Sequence, residues 1–234
     1  MEGKPAPSGS FDTERSAAHA LRSELDARLT ARDRAGAVTA ALEAVDSGAL
    51  GIADLYTLVV APLLADTGSA WRNGTTRVWE EHYASATART IIEALAPRVT
   101  AAAAETTERD TTVLLACPPG EYHDLGLRMV FDRFLLAGYP AHFLGADTPV
   151  SEICHAAETL GIGLVVLSAS THYHRVGLRH VVEDLARGLP AGTRIAVGGP
   201  AFARDTEWAA AGVAELLDPA AYGLPGLAPQ TEAP

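Results

Sequence analysis

The hydrophobic period of this chain changes once, near Thr111, and that change constrains the fold more than any other feature. From Phe11 to about Leu95 the pattern is helical: Ala, Leu, Arg and Glu dominate, with breaks near residues 30–32, 47–51 and 68–75. Four helices joined by short turns make a small bundle. Pro97, which lacks an amide donor, is expected to end the fourth helix. From Thr111 the apolar residues come instead in short unbroken runs, at Thr112–Cys117, Ala141–Leu144, Leu164–Ser168, Arg194–Val197 and Val213–Leu217. Such runs read as strands buried on both faces. Amphipathic helical stretches lie between them, and Thr148 followed by Pro149 marks a helix start with Pro at the first helical position. Strand and helix in alternation imply a parallel sheet with helices on both faces. The expected fold class is α/β: an N-terminal four-helix bundle, then a flavodoxin-like (Rossmann-like) domain. The expected boundaries are a Pro-, Gly- and Ser-rich tail at 1–10, the bundle at 11–97, an Ala-, Thr- and Glu-rich linker, helical in part, at 98–110, the α/β domain at 111–222 and a second tail at 223–234.

Composition removes several classes of function. The formal net charge is −11 and no Lys/Arg cluster stands out, whereas a nucleic-acid surface needs clustered cations to neutralise phosphates. No apolar run approaches the roughly 18 residues of a membrane span. The first ten residues lack the apolar core of a signal peptide. Cys117 and Cys154 have no metal-type spacing and read as reduced thiols. The expectation is a soluble, cytoplasmic protein that binds neither membrane nor nucleic acid directly.

Ligands of open α/β sheets bind outside the carboxyl ends of the strands. The loop after the first strand lies there and reads Glu121-Tyr122-His123-Asp124-Leu125-Gly126. A neutral imidazole such as His123 ligates metals well, and a carboxylate such as Glu121 can fix its tautomer and raise its basicity. Gly126 lets a ligand approach the backbone closely. Alone, the hexapeptide is equally a solvated loop. Ser168 ends the third run with 41 residues between it and Gly126, and Gly198-Gly199 ends the fourth with 27 residues between Ser170 and Gly198.

This spacing resembles the pattern Asp/Glu-x-His-x-x-Gly, then Ser-x-Leu, then Gly-Gly shared by methionine synthase, cobalamin mutases, corrinoid methyl-transfer proteins and cobalamin photoreceptors. The resemblance implies that His123 is the lower axial ligand of cobalt. It also implies that the nucleotide tail of the cofactor enters a slot beside Ser168, Ser170, Gly198 and Gly199. Ser170 stands where Leu is common.

On the fourth helix Val78, Glu81/His82, Ser85, Ala88, Ile92 and Leu95 form one stripe. Glu81 and His82 are then polar groups on a face expected to pack, and a satisfied core pair is one explanation. Trp71 precedes Glu81 by ten residues, however, and Trp-x9-Glu-His resembles the CarH-like photoreceptors. That resemblance implies that Trp71, Glu81 and His82 line the upper face of adenosylcobalamin; Trp79 is a second aromatic nearby that an amphipathic helix also explains. The residue after Trp71 is Arg72, where some of these photoreceptors carry a second histidine. Its guanidinium offers cobalt no lone pair.

The resemblance spans about residues 11–220 and lacks the DNA-binding domain many such photoreceptors carry. It implies a light sensor rather than an enzyme, a homo-oligomer acting on a downstream protein partner. A corrinoid shuttle of a methyltransferase system is the alternative, and a binding-only antirepressor-type regulator a third. The layout is also similar to the photocobilins, which add a bilin. His172, His174 and Arg175 are the residues that could hold biliverdin; a solvated polar loop explains them as well.

Overall fold

Five parallel strands form one sheet, in the order β2-β1-β3-β4-β5. The computed structural model describes residues 9–202 and 213–226; the tail expectations for residues 1–8 and 227–234 lie outside the described residues. The chain divides into two units, Met1–Pro97 and Arg98–Pro234.

The first unit is helical: α1 (Gly9–Thr30), α2 (Arg34–Asp46), a stretch made of α3 (Ile52–Asp54), a π-helical segment (Leu55–Val60) and α4 (Ala61–Arg72), and α5 (Val78–Ala104). The turn between α1 and α2 is closed by Asp33, which accepts from the Gly36 amide at 2.8 Å and from the Arg28 guanidinium at 2.7 Å. These two bonds hold the Asp33 carboxyl below its usual pKa. Leu25, Ala41, Tyr56, Val59, Val60, Leu63, Ala88, Ile92 and Leu95 are buried.

Two expectations for the last helix need correction. Pro97 does not end it; α5 runs on to Ala104. Leu95 and Val99 are both buried, so packing holds the helix on either side of the proline, and the alanines at 101–104 are the best helix formers. The packed stripe also starts later than Val78. Ala84, Thr87, Ala88, Ile91, Ile92 and Leu95 are buried, while Val78 is 51% exposed and the His82 side chain is 74% exposed. The buried face begins with Ala84 and Thr87, small residues that a hydrophobic pattern barely registers.

In the second unit the strands are β1 (Val113–Ala116), β2 (Ala141–Gly145), β3 (Leu164–Ser168), β4 (Arg194–Gly198) and β5 (Glu215–Leu216), with α6 (Leu125–Leu136), α7 (Val150–Leu160) and α8 (His172–Gly188) between them. Strand residues alternate between two cores, as a period of two demands. Leu114, Ala116, Val165, Leu167, Ile195 and Val197 pack with Ile153 and Ala157 of α7 and with Leu178, Val182 and Leu185 of α8. Val113, Leu115, Val166 and Ala196 pack with Leu127 and Phe134 of α6 and with Tyr139 and Tyr222. Helices thus cover both faces, which is why the strands read as continuous apolar runs.

Pro149 is the cap before α7, at ψ 143°, rather than its first residue. Residues 172–175, expected in a loop, open α8, because the Thr171 side chain caps it by accepting from the His174 amide. Among the described residues no helix is long and apolar enough to cross a membrane.

Candidate functional site

Strand β1 pairs with β2 on one side and β3 on the other, so the strand order reverses at β1. The crevice outside the carboxyl ends of β1 and β3 is the switch point at which doubly wound sheets bind ligands. Two short loops frame it, residues 117–124 after β1 and 169–171 after β3.

At the centre of this crevice is the fully buried carboxylate of Glu121. Its Oε1 accepts from the His123 amide at 2.9 Å and meets His123 Nδ1 at 2.7 Å. Its Oε2 accepts from the Ser170 amide at 2.8 Å and the Ser170 hydroxyl at 2.7 Å, and lies 2.8 Å from His174 Nδ1. Burial alone would raise the pKa of this carboxyl; the hydrogen bonds from Ser170 and His123 outweigh it and hold the group below its usual value. An ionised carboxylate only accepts, so the proton of the His123 ring sits on Nδ1. That leaves Nε2 with its lone pair on a side chain that is 70% exposed. A buried carboxylate orienting an exposed imidazole is the arrangement a metal-ligating histidine uses.

The other residues at the strand ends have definite places. Asp124 is buried and caps α6 through its carbonyl, which accepts from the Arg128 amide at 2.8 Å. Gly126 lies in the first turn of α6, and a Cβ there would meet nothing within 4 Å, so its surroundings are open. Ser168 is buried at the end of β3. Gly199 follows β4 with φ 102°, and a Cβ on it would come within 2.5 Å of the Ala169 carbonyl and 2.7 Å of Ser168 Oγ. Only glycine can stand there. A Cβ on Gly198 would make ordinary contact with Leu217. Beneath the loop, the Cys117 thiol is pushed up to about 12, first by burial and then by the nearby Glu121 and Asp124 carboxylates.

Two features were missed in the sequence. Ser170, read as lining a slot, also gives both its amide and its hydroxyl to Glu121. His174 turns to the same carboxylate, its ring 6.2 Å from that of His123. The run Ser170-Thr171-His172-Tyr173-His174 at a strand end was the available signal, since it offers polar side chains on one helical first turn. His172 and Arg175 face each other at 3.2 Å on that turn.

In the first unit, Trp71 lies in the last turn of α4, half exposed. Glu81 and His82 open α5: His82 Nδ1 is 2.6 Å from Glu81 Oε2, and the Ser85 hydroxyl donates to Glu81 Oε1 at 2.6 Å. Trp79 is stacked beneath the Arg32 guanidinium at 4.6 Å, and Arg32 also donates to Glu80 at 2.7 Å. Arg72 donates to the Ser69 hydroxyl at 2.8 Å.

Comparison with known proteins agrees with this geometry. A family model described as B12 binding domain matches residues 111–227, and a second of the same description matches residues 21–96. The HTH-type transcriptional repressor CarH of Myxococcus xanthus is 31% identical over 143 residues, covering 61% of this chain and 46% of that protein. Dimethylamine corrinoid protein 2 of Methanosarcina mazei is 30% identical over 81 residues, covering 34% of this chain and 38% of that protein. The matched segment is thus less than half the length of either relative. Among solved structures, the monomethylamine corrinoid protein of Methanosarcina barkeri shares the fold, with a TM-score of 0.66 at 19% identity over 78% of this chain and 85% of that one. An exposed imidazole oriented by a buried carboxylate at the switch point, open space at Gly126 and a glycine closing onto Ser168 all fit a corrinoid cofactor. The chain belongs to the B12 binding domain family and is a cobalamin-binding protein.

Proposed function

We propose that this protein is a cobalamin-dependent light sensor rather than an enzyme. The observation that carries the reading is Trp71, half exposed at the end of α4, followed by the Glu81–His82 pair at the start of α5. Support comes from the likeness to a transcriptional repressor, CarH. In this reading His123 Nε2 is the lower axial ligand, with Glu121 fixing its tautomer. Asp124 and Gly126 contact the cofactor beside His123, and Ser168, Ser170, Gly198 and Gly199 line the slot for its nucleotide tail. Trp71, Glu81 and His82 line the upper face, where the indole excludes water from the adenosyl group. Bound adenosylcobalamin supplies a cobalt–carbon bond that an absorbed photon breaks. The output is a change in oligomeric state or in the binding of a protein partner.

Loading the protein with adenosylcobalamin in darkness and following its spectrum and hydrodynamic size through green illumination tests this. A changed spectrum with a changed size is the expected result. The second reading, a corrinoid shuttle, draws on the dimethylamine corrinoid relative. Methyl transfer from methylcobalamin to a thiol or corrinoid partner in darkness, with no response of size to light, decides for it. The proposal extends to a bilin as second chromophore at the first turn of α8, where His172 and Arg175 sit. Biliverdin added to the loaded protein then gives a red-shifted band; a spectrum equal to the sum of the free chromophores removes this part.

A further inference from the structure

The loop that carries His123 is bonded on both sides, to the β3 end by Glu121 and to the loop after β2 by Asp147 and two flanking backbone bonds. Asp147 lies in that second loop, exposed, with φ 50°, a left-handed conformation that costs a residue with a side chain and is easiest for Asn and Asp. Its backbone amide donates to the Glu121 carbonyl at 3.0 Å. Its Oδ1 accepts from the Gly120 amide at 2.8 Å, and its Oδ2 accepts from the Tyr122 hydroxyl at 3.1 Å. One residue therefore holds three consecutive residues, those immediately before His123. Gly120 is itself left-handed, at φ 83°, so its amide can turn to the carboxylate. Flanking backbone bonds, from Cys117 to the Gly145 carbonyl and from Thr148 to the Cys117 carbonyl, join the same two loops. Those two bonds would close the loops without Asp147. What Asp147 adds is control over the segment whose side chain, Glu121, orients the imidazole.

We propose that Asp147 is a positioning residue for the axial histidine: it sets the backbone of Gly120–Tyr122 so that the Glu121 carboxylate and the His123 ring meet. The inference rests on the reading of His123 as the lower ligand of cobalt. Strained backbone kept at a site of this kind is explained when the strain serves the site's geometry.

The test compares wild type with Asp147→Gly, Asp147→Asn and Tyr122→Phe, each loaded with cobalamin. Glycine accepts the positive φ at no steric cost, so Asp147→Gly removes the carboxylate without adding strain. Two quantities are read: cobalamin affinity, and the fraction of protein whose cobalt(II) paramagnetic resonance signal carries the splitting of a histidine nitrogen. Asp147→Gly is expected to lower affinity about tenfold, the lower end for a group that orients a metal ligand, and to lower the histidine-bound fraction. Asn, which keeps one acceptor and tolerates the backbone, restores most of both. Tyr122→Phe falls between wild type and Asp147→Gly. Wild-type affinity and an undiminished nitrogen signal in Asp147→Gly would overturn the proposal. If wild type itself shows no histidine nitrogen on cobalt, the axial-ligand reading fails at its root, an outcome separate from failure of the aspartate alone.

Discussion

Among the described residues stand two Glu–His–Ser trios, one in each unit, and they are built in opposite ways. In the first unit Glu81, His82 and Ser85 sit within five residues on one helix, with His82 Nδ1 and the Ser85 hydroxyl each 2.6 Å from the carboxylate. In the second unit Glu121 and His123 come from one loop and Ser170 from another, 49 residues away from Glu121. Contact distances are nearly equal, but the surroundings differ. The Glu121 side chain is 1% exposed, and backbone amides of two loops donate to it. The Glu81 side chain is 24% exposed and sits in the first turn of a helix. A carboxylate pinned by backbone donors holds its histidine in one tautomer and one direction. The Glu81 carboxylate takes its His and Ser contacts from side chains of its own helix. The difference separates a carboxylate held by the backbone of two loops from one held within a single helix.

The largest expected effect comes from removing the imidazole of the second-unit trio. His123→Ala should weaken cobalamin binding severely or return the bound cofactor to its free, base-on spectrum. Unchanged affinity together with an unchanged spectrum would remove His123 from the site. Next comes Glu121→Gln, which keeps the volume but loses the charge that fixes the His123 proton on Nδ1. A loss of about 10–100-fold in cobalamin affinity is expected, the range for groups that orient metal ligands. Equilibrium titration monitored by absorbance measures it, and an effect under threefold would show that Ser170 and the backbone suffice. Ser170→Ala removes one hydroxyl and leaves the Ser170 amide bond in place. A single hydrogen bond to a charged group is worth roughly 1.5–3 kcal/mol; because Ser170 acts on the cofactor only through Glu121, a loss of about tenfold, the low end of that range, is expected. A larger loss would mean that the loop after β3 has moved as well. The smallest effect on the lower ligand belongs to the helical trio. His82→Ala should leave the histidine-bound spectrum in darkness unchanged and alter only the response to light. Loss of that spectrum in His82→Ala would erase the division of labour between the two trios.

Much of the fold was legible because hydrophobic periodicity is a local signal. The run Leu164–Ser168 is β3 residue for residue, and Arg194–Val197 extends by one residue in β4. Periodicity failed where alanine carries the packing. On α5 the reading placed Ala88, Ile92 and Leu95 on the stripe, and they are buried, but it began the stripe at Val78 and His82, which are exposed, and passed over Ala84 and Thr87, which are buried. It failed also at Pro97, where a local rule about a missing donor was outweighed by the burial of Leu95 and Val99. In the site, His123 and Glu121 are close in sequence, so their chemistry could be read together. The side chains that complete the arrangement come from other loops.

By itself the sequence determined the strand and helix alternation, the place of His123 at a strand end and the glycine that must follow β4. Each is a property of a few neighbouring residues: a period of two, a residue type, a backbone conformation open only to glycine. Tertiary structure decided the rest. The order β2-β1-β3 puts the loops after β2 and β3 on either side of the loop after β1. Only that order brings Asp147 to the backbone of Glu121 and brings Ser170 and His174 to its carboxylate. Strand order is set by how helices cover both faces of the sheet. No local pattern records it, because a hydrogen bond between loops depends on which strands are neighbours and not on how far apart the residues lie in the chain.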